Sequence, residues 1–134
     1  VHNAPKTSSY VNTRSISKDG GISTFRSSVV VSAKAKGSKS AVSCQSLMLD
    51  DISRSDTIPA MDIRTKDDDV GHEAKIGRIS DDAVFYLMSR GISEEDARAL
   101  IVSGFADNVS KELPLEYAVE MNNLIHLEMK GSIG

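Results

Sequence analysis

The sequence predicts a mainly β plus α fold, because its hydrophobic pattern changes period once along the chain. Residues 1–78 are rich in Ser, Thr and Val and are divided by short turn segments, which is typical of successive short strands. Residues 79–134 instead place apolar residues at helical spacing behind N-capping serines. We therefore expect two domains, a strand-built one over residues 1–78 and a helical one over residues 79–134.

The composition limits what the chain can be. Hydrophobic residues make up 40% of its 134 residues, but aromatic residues only 4%, so the core must be built from aliphatic side chains. No apolar run approaches the ~20 residues of a membrane-spanning helix. The chain begins with Val1 and continues as if from the middle of a protein, so we expect a fragment of a longer one. A soluble, cytoplasmic protein without membrane contact is the expectation.

The single cysteine, Cys44, restricts the chemistry further. It cannot form a disulfide within the chain, which fits a reducing compartment. One cysteine also cannot supply an all-cysteine zinc or iron–sulfur site. A metal cluster would need other ligand types or a second chain.

Charge is distributed unevenly. Residues 1–49 carry seven Lys/Arg and one acid, whereas residues 50–134 carry nine Lys/Arg and eighteen acids. The basic residues of the first part are spread singly among Ser and Thr without interleaved aromatic residues, so they indicate a solvated sheet face rather than a nucleic-acid site. No glycine-rich phosphate loop is present, so any ATP must be bound by a partner.

Five strands are expected, over residues 10–17, 23–33, 40–49, 58–64 and 70–76. Apolar and polar residues alternate within the third of these, around Cys44. Successive short strands form either a sandwich or barrel, or a solenoid in which each strand stacks on its equivalent in the next coil. Small residues favour the solenoid, but no fixed-period repeat is visible, so the pattern alone leaves both open.

Three helices are expected in the second part. The first begins after Ser80, a plausible N-cap, and ends at Gly91, with an apolar stripe of Val84, Leu87 and Met88.

The second helix is expected to begin after Ser93 and to end at Gly104, with Ala97, Leu100 and Ile101 on its apolar face. The third opens with Pro114 in its first turn and ends before Gly131. Its apolar face comprises Ala118, Met121, Ile125 and Met129.

Several stretches of the chain resemble the C-terminal region of the SufB/SufD family, the scaffold proteins of iron–sulfur cluster assembly. They are residues 15–21 with Thr24-Phe25-Arg26, residues 43–49, residues 54–59, Gly71-His72-Glu73-Ala74, and the helical tail. Cys44 and the His72-Glu73 pair make the chain resemble SufB more than SufD. Gly71 and Gln45 stand where the family often has Glu and Asp.

The resemblance implies a fold and a function. The fold would be the C-terminal coils of a right-handed parallel β-helix followed by a small three-helix domain. The function would be that of a non-enzymatic scaffold that accepts sulfur, holds a nascent iron–sulfur cluster and works with the SufC ATPase. The cluster would be transient and present only in the full-length complex, with none in the isolated fragment.

The resemblance also implies site residues. Cys44 would be the sulfur acceptor or a cluster ligand, with His72 and, second to it, Glu73 as co-ligands. Adjacent strand residues face opposite sides of a sheet, so the two can bind one metal only across a bend or with a partner subunit's help.

Two partners are implied as well. The helical tail, residues 80–131, would bind a SufC-type ATPase, with Phe85, Tyr86 and Phe105 as apolar anchors outside the helix stripes. Strands 40–49 and 58–76 would pair with a second SufB/SufD-type scaffold subunit, in a heterodimer or homodimer. The alternatives are a SufD-like structural subunit without a sulfur-carrying role and an unrelated β-solenoid binding module.

Overall fold

The fold was obtained as a computed structural model, which describes residues 1–130. The chain divides into two compact units, Val1–Gly77 and Arg78–Gly134. The first contains the strands and the second the helices.

The first unit consists of five strands in two parallel sheets. The strands are β1 (Ser8–Ser17), β2 (Ile22–Val31), β3 (Lys39–Met48), β4 (Arg54–Ile63) and β5 (Asp69–Arg78). Consecutive strands alternate between the sheets, whose orders are β1-β3-β5 and β2-β4. Strands β1 and β3 pair in parallel with Ser8 beside Lys39, and β2 and β4 pair with Ile22 beside Arg54.

All five expected strands are present, and their parallel pairing shows that the antiparallel sandwich left open by the sequence is wrong. The largest difference in bounds is at β4, which begins at Arg54 rather than at residue 58. The polar residues at its start belong to the strand because Ser55 forms hydrogen bonds inside the unit.

Aliphatic side chains form the core of the strand unit, as the composition predicts. Val29, Val31, Ala35 and Val42 are buried together, and Phe25 and Val70 pack against them. Along β3 every second side chain is buried: Ser40, Val42, Cys44 and Ser46. This alternation places Cys44 on the same side of its strand as the core residue Val42.

Two turns stack at one corner of the strand unit and are joined by Asp50. Its Oδ1 accepts hydrogen bonds from the backbone N–H groups of Ile52 (3.0 Å) and Ser53 (2.6 Å), and its Oδ2 accepts one from Asp19. Desolvation alone would raise the pKa of Asp50, but the hydrogen bonds from Ser53, Asp19 and Ile52 outweigh it and hold the pKa below its usual value. The neighbouring Gly20 has a φ of +76°, a left-handed conformation that favours glycine.

The second unit consists of helices α1 (Asp81–Met88), α2 (Glu94–Ser110) and α3 (Leu115–Lys130). Both predicted N-caps are confirmed: Ser80 Oγ accepts from the N–H of Ala83 at 3.2 Å, and Ser93 Oγ accepts from that of Asp96 at 3.1 Å. Gly91 follows α1 with a φ of +87°, the left-handed conformation that a glycine favours.

The second helix departs from the prediction. It continues through Gly104 to Ser110, so the predicted end at Gly104 is wrong. Its apolar face is also different, because α2 contacts both other helices and buries residues on more than one side. Leu100 is 53% exposed, whereas Val102 is buried. The buried residues of α2 are Ala97, Ala99, Val102, Ala106 and Ser110.

The third helix follows the prediction closely. Pro114 lies immediately before it, and its carbonyl accepts the first helical hydrogen bond, from Ala118. The four side chains of the predicted face are half-buried or buried, and the other α3 residues are exposed. Gly131, the predicted residue beyond the helix end, lies outside the described residues. None of the helices within residues 1–130 has the length and apolar character that a membrane span requires.

Candidate functional site

Cys44 lies in the middle of β3 and is 2% exposed. Its neighbour on β1 is Thr13. Its sulfur hydrogen-bonds with the hydroxyl of Thr57, which lies on β4 in the other sheet, with Sγ and Oγ1 3.5 Å apart. The cysteine therefore points into the strand unit, where it meets a polar group rather than only hydrocarbon.

Four serine hydroxyls lie in a ring beside this pair, with Ser46 two residues after Cys44 on β3 and Ser55 two residues before Thr57 on β4. The Oγ–Oγ distances are 2.7 Å for Ser15–Ser46, 2.7 Å for Ser46–Ser55, 3.1 Å for Ser55–Ser23 and 3.1 Å for Ser23–Ser15. Each serine comes from a different strand, β1 to β4. Ser15 and Ser55 both donate to Ser46, and Ser23 is placed to donate to Ser15 and to Ser55. Because a hydroxyl carries one proton, Ser23 makes only one of these two bonds at a time.

His72 lies on β5, the strand next to β3 in the three-stranded sheet. Val70, two residues earlier, packs against the core, so His72 faces the same side of the sheet as Val70. Cys44 shares its side with the core residue Val42 in the same way. The Nε2 atom of His72 is buried and has no hydrogen-bonding partner within residues 1–130. It is therefore a buried imidazole nitrogen that no hydrogen bond from the described residues occupies.

Glu73 faces the other side of β5. Its side chain is 61% exposed and its Oε1 lies 3.0 Å from Nζ of Lys75, which is on the same face. His72 and Glu73 therefore lie on opposite faces of β5. Within residues 1–130 no three side chains of His, Cys, Asp or Glu are grouped closely enough to hold a metal ion.

A second polar network surrounds His2, which the sequence did not single out. The side chain is 6% exposed, and its ring nitrogens lie 2.6 Å from Thr7 Oγ1 and 2.8 Å from Ser9 Oγ. Ser9 and Ser40 lie beside each other on β1 and β3 with their hydroxyls 3.0 Å apart. Both ring nitrogens of His2 therefore form hydrogen bonds. In His72, by contrast, Nε2 has no hydrogen-bonding partner within residues 1–130.

The three aromatic candidates of the helical unit differ in exposure. Phe85 is 72% exposed and Tyr86 is 55% exposed. The guanidinium of Arg90 lies over the Tyr86 ring, 4.7 Å from its centre. Phe105 is half-buried within α2 and presents less surface.

Comparison with known proteins gives this geometry its family context. Residues 1–105 match the family model described as "SUF system FeS cluster assembly, SufBD core domain". An iron-sulfur cluster assembly SufBD family protein of Staphylococcus saprophyticus is 52% identical over 134 residues, which are the whole of this chain and 29% of that relative. SufBD family proteins of Mycobacterium tuberculosis and Mycobacterium leprae are each 47% identical over the same 134 residues, 16% and 15% of their lengths.

The family and these relatives are all described by iron–sulfur cluster assembly. The chain belongs to the SufBD family, which excludes the unrelated solenoid module considered from the sequence. It spans less than a third of the length of these relatives.

Proposed function

We propose that this chain is the sulfur-accepting part of a SufB-type scaffold, with Cys44 as the acceptor. The observation that carries the proposal is the place of Cys44: a sulfur on the inner side of β3, held by a hydrogen bond, in a chain of the SufBD family. The parallel strands in two alternating sheets support the right-handed β-helix as the architecture of residues 1–78. The helices then form the domain over residues 79–134.

The proposed reaction is a transfer of sulfane sulfur. The Cys44 thiolate attacks the outer sulfur of a donor persulfide, a new S–S bond forms at Cys44, and the donor's S–S bond breaks. The donor leaves as a thiolate, and Cys44 becomes a persulfide. The exchange needs no external oxidant, because the sulfane sulfur keeps its oxidation level. Since the thiolate is the nucleophile, the surroundings of Sγ decide how readily the transfer occurs.

His72 is the proposed co-ligand of the nascent cluster, which is the cargo of the scaffold. Its Nε2, which is buried and has no hydrogen-bonding partner among residues 1–130, supports this role, as does its place on the strand beside β3. Imidazole nitrogen and thiolate sulfur are both iron ligands. Glu73 ranks second because it faces away, so it would serve as a ligand only to iron shared with another subunit.

The helical unit is the proposed docking element for a SufC-type ATPase. Phe85 and Tyr86 are adjacent and largely exposed, as an aromatic anchor of a binding surface must be. Phe105 belongs to the proposed surface too, but its partial burial gives it the smaller contribution.

A second SufB/SufD-type subunit is the proposed partner of the strand unit. Within residues 1–130, β4 pairs only with β2 and β5 only with β3, so each has one edge without a strand neighbour. Such edges pair readily with another chain. Four apolar side chains on these strands are 40–49% exposed: Ile58, Met61, Ile63 and Ile76.

Anaerobic reconstitution of the full-length protein with iron, a persulfide donor and a thiol reductant tests the proposal. We expect the wild type to assemble a cluster with its visible absorption bands, and Cys44→Ser to lose most of it while remaining folded. An equal cluster yield in Cys44→Ser would favour the SufD-like alternative, a structural subunit without a sulfur-carrying role. We expect the reaction to take place in the cytoplasm, because the Cys44 thiol stays reduced there.

A further inference from the structure

The hydrogen bond between Cys44 and Thr57 joins the two sheets at the sulfur. Within residues 1–130, Thr57 Oγ1 is the hydrogen-bonding partner of Cys44 Sγ, at 3.5 Å. Thr13, the neighbour of Cys44 on β1, forms no such bond although it lies beside it in register. Thr13 and Thr57 thus both lie near Cys44, and Thr57 is the one that hydrogen-bonds to its sulfur.

The serine ring fixes this contact. Ser46 lies two residues after Cys44 on β3, and Ser55 lies two residues before Thr57 on β4. Their hydroxyls are 2.7 Å apart, so the same two strands are linked across the sheets at a second point. Because side chains two apart share a face of a strand, this link sets the spacing at which the Thr57 hydroxyl meets the sulfur.

We infer that Thr57 is a positioning residue for sulfur acceptance at Cys44, an inference that rests on the proposed function. A threonine hydroxyl both donates and accepts, so it can accept from the thiol and donate to the sulfur anion that attacks the donor persulfide. A hydrogen bond to an ionised group is stronger than one between neutral groups, and an unpaired charge is costly in a buried place. Thr57 therefore stabilises the reactive form and fixes the direction of Sγ.

Three variants of the full-length protein separate this role from a packing role. Thr57→Val removes the hydroxyl and keeps the shape, Thr57→Ser keeps the hydroxyl, and Thr13→Val removes the neighbouring hydroxyl as a matched control. Each is incubated with a small-molecule persulfide donor, and mass spectrometry measures the rate at which the Cys44 peptide gains sulfur. We expect a loss of about tenfold or more in Thr57→Val, and rates near wild type in Thr57→Ser and Thr13→Val.

The infrared S–H stretching band of Cys44 gives a readout that packing alone does not move. It is isolated as the difference between the wild type and Cys44→Ser. We expect a hydrogen-bonded band in the wild type and a shift toward the free-thiol position in Thr57→Val. A free-thiol band in the wild type would overturn the inference even if Thr57→Val failed to fold.

The outcomes also distinguish the two levels of the proposal. If Cys44→Ser abolishes sulfur uptake at this peptide and reduces cluster yield, while Thr57→Val reacts at the wild-type rate, the inference about Thr57 fails and the proposed function stands. If Cys44→Ser leaves cluster yield unchanged, the proposed function itself fails. Equal losses in Thr57→Val and Thr13→Val would show a packing effect and would also overturn the inference.

Discussion

Breaking the serine ring should destabilise the strand unit more than the loss of a surface hydroxyl. Ser46 is 5% exposed and lies 2.7 Å from both Ser15 and Ser55. In Ser46→Ala both neighbours lose a partner where water does not easily replace it. One unsatisfied buried polar group costs about 1–3 kcal/mol, so we expect a loss of about 2 kcal/mol in the free energy of unfolding. Ser28→Ala, on an exposed position of β2, is the matched control and should change stability by less than about 0.5 kcal/mol.

Urea unfolding followed by circular dichroism measures both variants, and a double-mutant cycle tests the ring itself. Once Ser46→Ala has opened the ring, removing its partner Ser15 should cost less than it does in the intact ring. We expect the double variant to be more stable than the sum of the single losses by about 0.5–1.5 kcal/mol. Strictly additive losses, or a Ser46→Ala protein as stable as Ser28→Ala, would refute the reasoning.

Three further predictions concern other parts of the molecule. Asp50→Asn should lower the melting temperature at neutral pH, because the pKa of Asp50 is lower in the folded state than its unfolded value of about 3.8. The resulting stability is fully present above the unfolded pKa and is lost as pH falls through the folded pKa. The melting temperatures of wild type and variant should therefore converge from pH 7 to pH 3, and a constant difference would contradict this. Gly91→Ala should destabilise the helical unit by about 1 kcal/mol, because Gly91 has a left-handed φ. Gly104→Ala should stabilise it by about 0.5–1 kcal/mol, because Gly104 lies inside α2 with open space around an added Cβ. Chemical denaturation that gives the same sign for both would refute this. Phe85→Ser should weaken binding of a SufC-type ATPase by about 1–3 kcal/mol in calorimetry while leaving the melting temperature within a few degrees, and unchanged affinity would argue against the helical docking surface.

The strands themselves were predictable from the residue pattern, whereas their parallel pairing was implied only by the family resemblance. Alternation around Cys44 identified the buried face of β3, because period-two patterns report which side chains leave water. Strands β1 and β3 pair residues that are 31 positions apart in the sequence. Few of these pairs contain the same residue, as Ser15 and Ser46 do, so the sequence shows little repetition at this spacing. Serines at that spacing could have indicated the serine ring. The contact between Cys44 and Thr57 could not be predicted, because it joins the two sheets and depends on the distance between them.

The helical unit shows where local rules are sufficient and where tertiary contacts decide. The serine caps at Ser80 and Ser93 were predictable because a cap depends on residues within one turn. The end of α2 was not, because glycine lowers helix propensity by about 1 kcal/mol and packing on two neighbouring helices readily outweighs that. For the same reason Val102 is buried and Leu100 is exposed.

Detecting transferred sulfur on Cys44 tests the proposed sulfur acceptance most directly. The full-length protein is incubated anaerobically with a persulfide donor, and one part is digested so that mass spectrometry can detect the added mass of sulfur on its peptides. The other part receives iron and a thiol reductant, which reduces the transferred sulfur to the sulfide of a cluster. We expect the Cys44 peptide to gain sulfur in the wild type, and Cys44→Ser to lose both this signal and most of the cluster formed afterwards. Cluster assembly at the wild-type level with no sulfur ever found on the Cys44 peptide would contradict it.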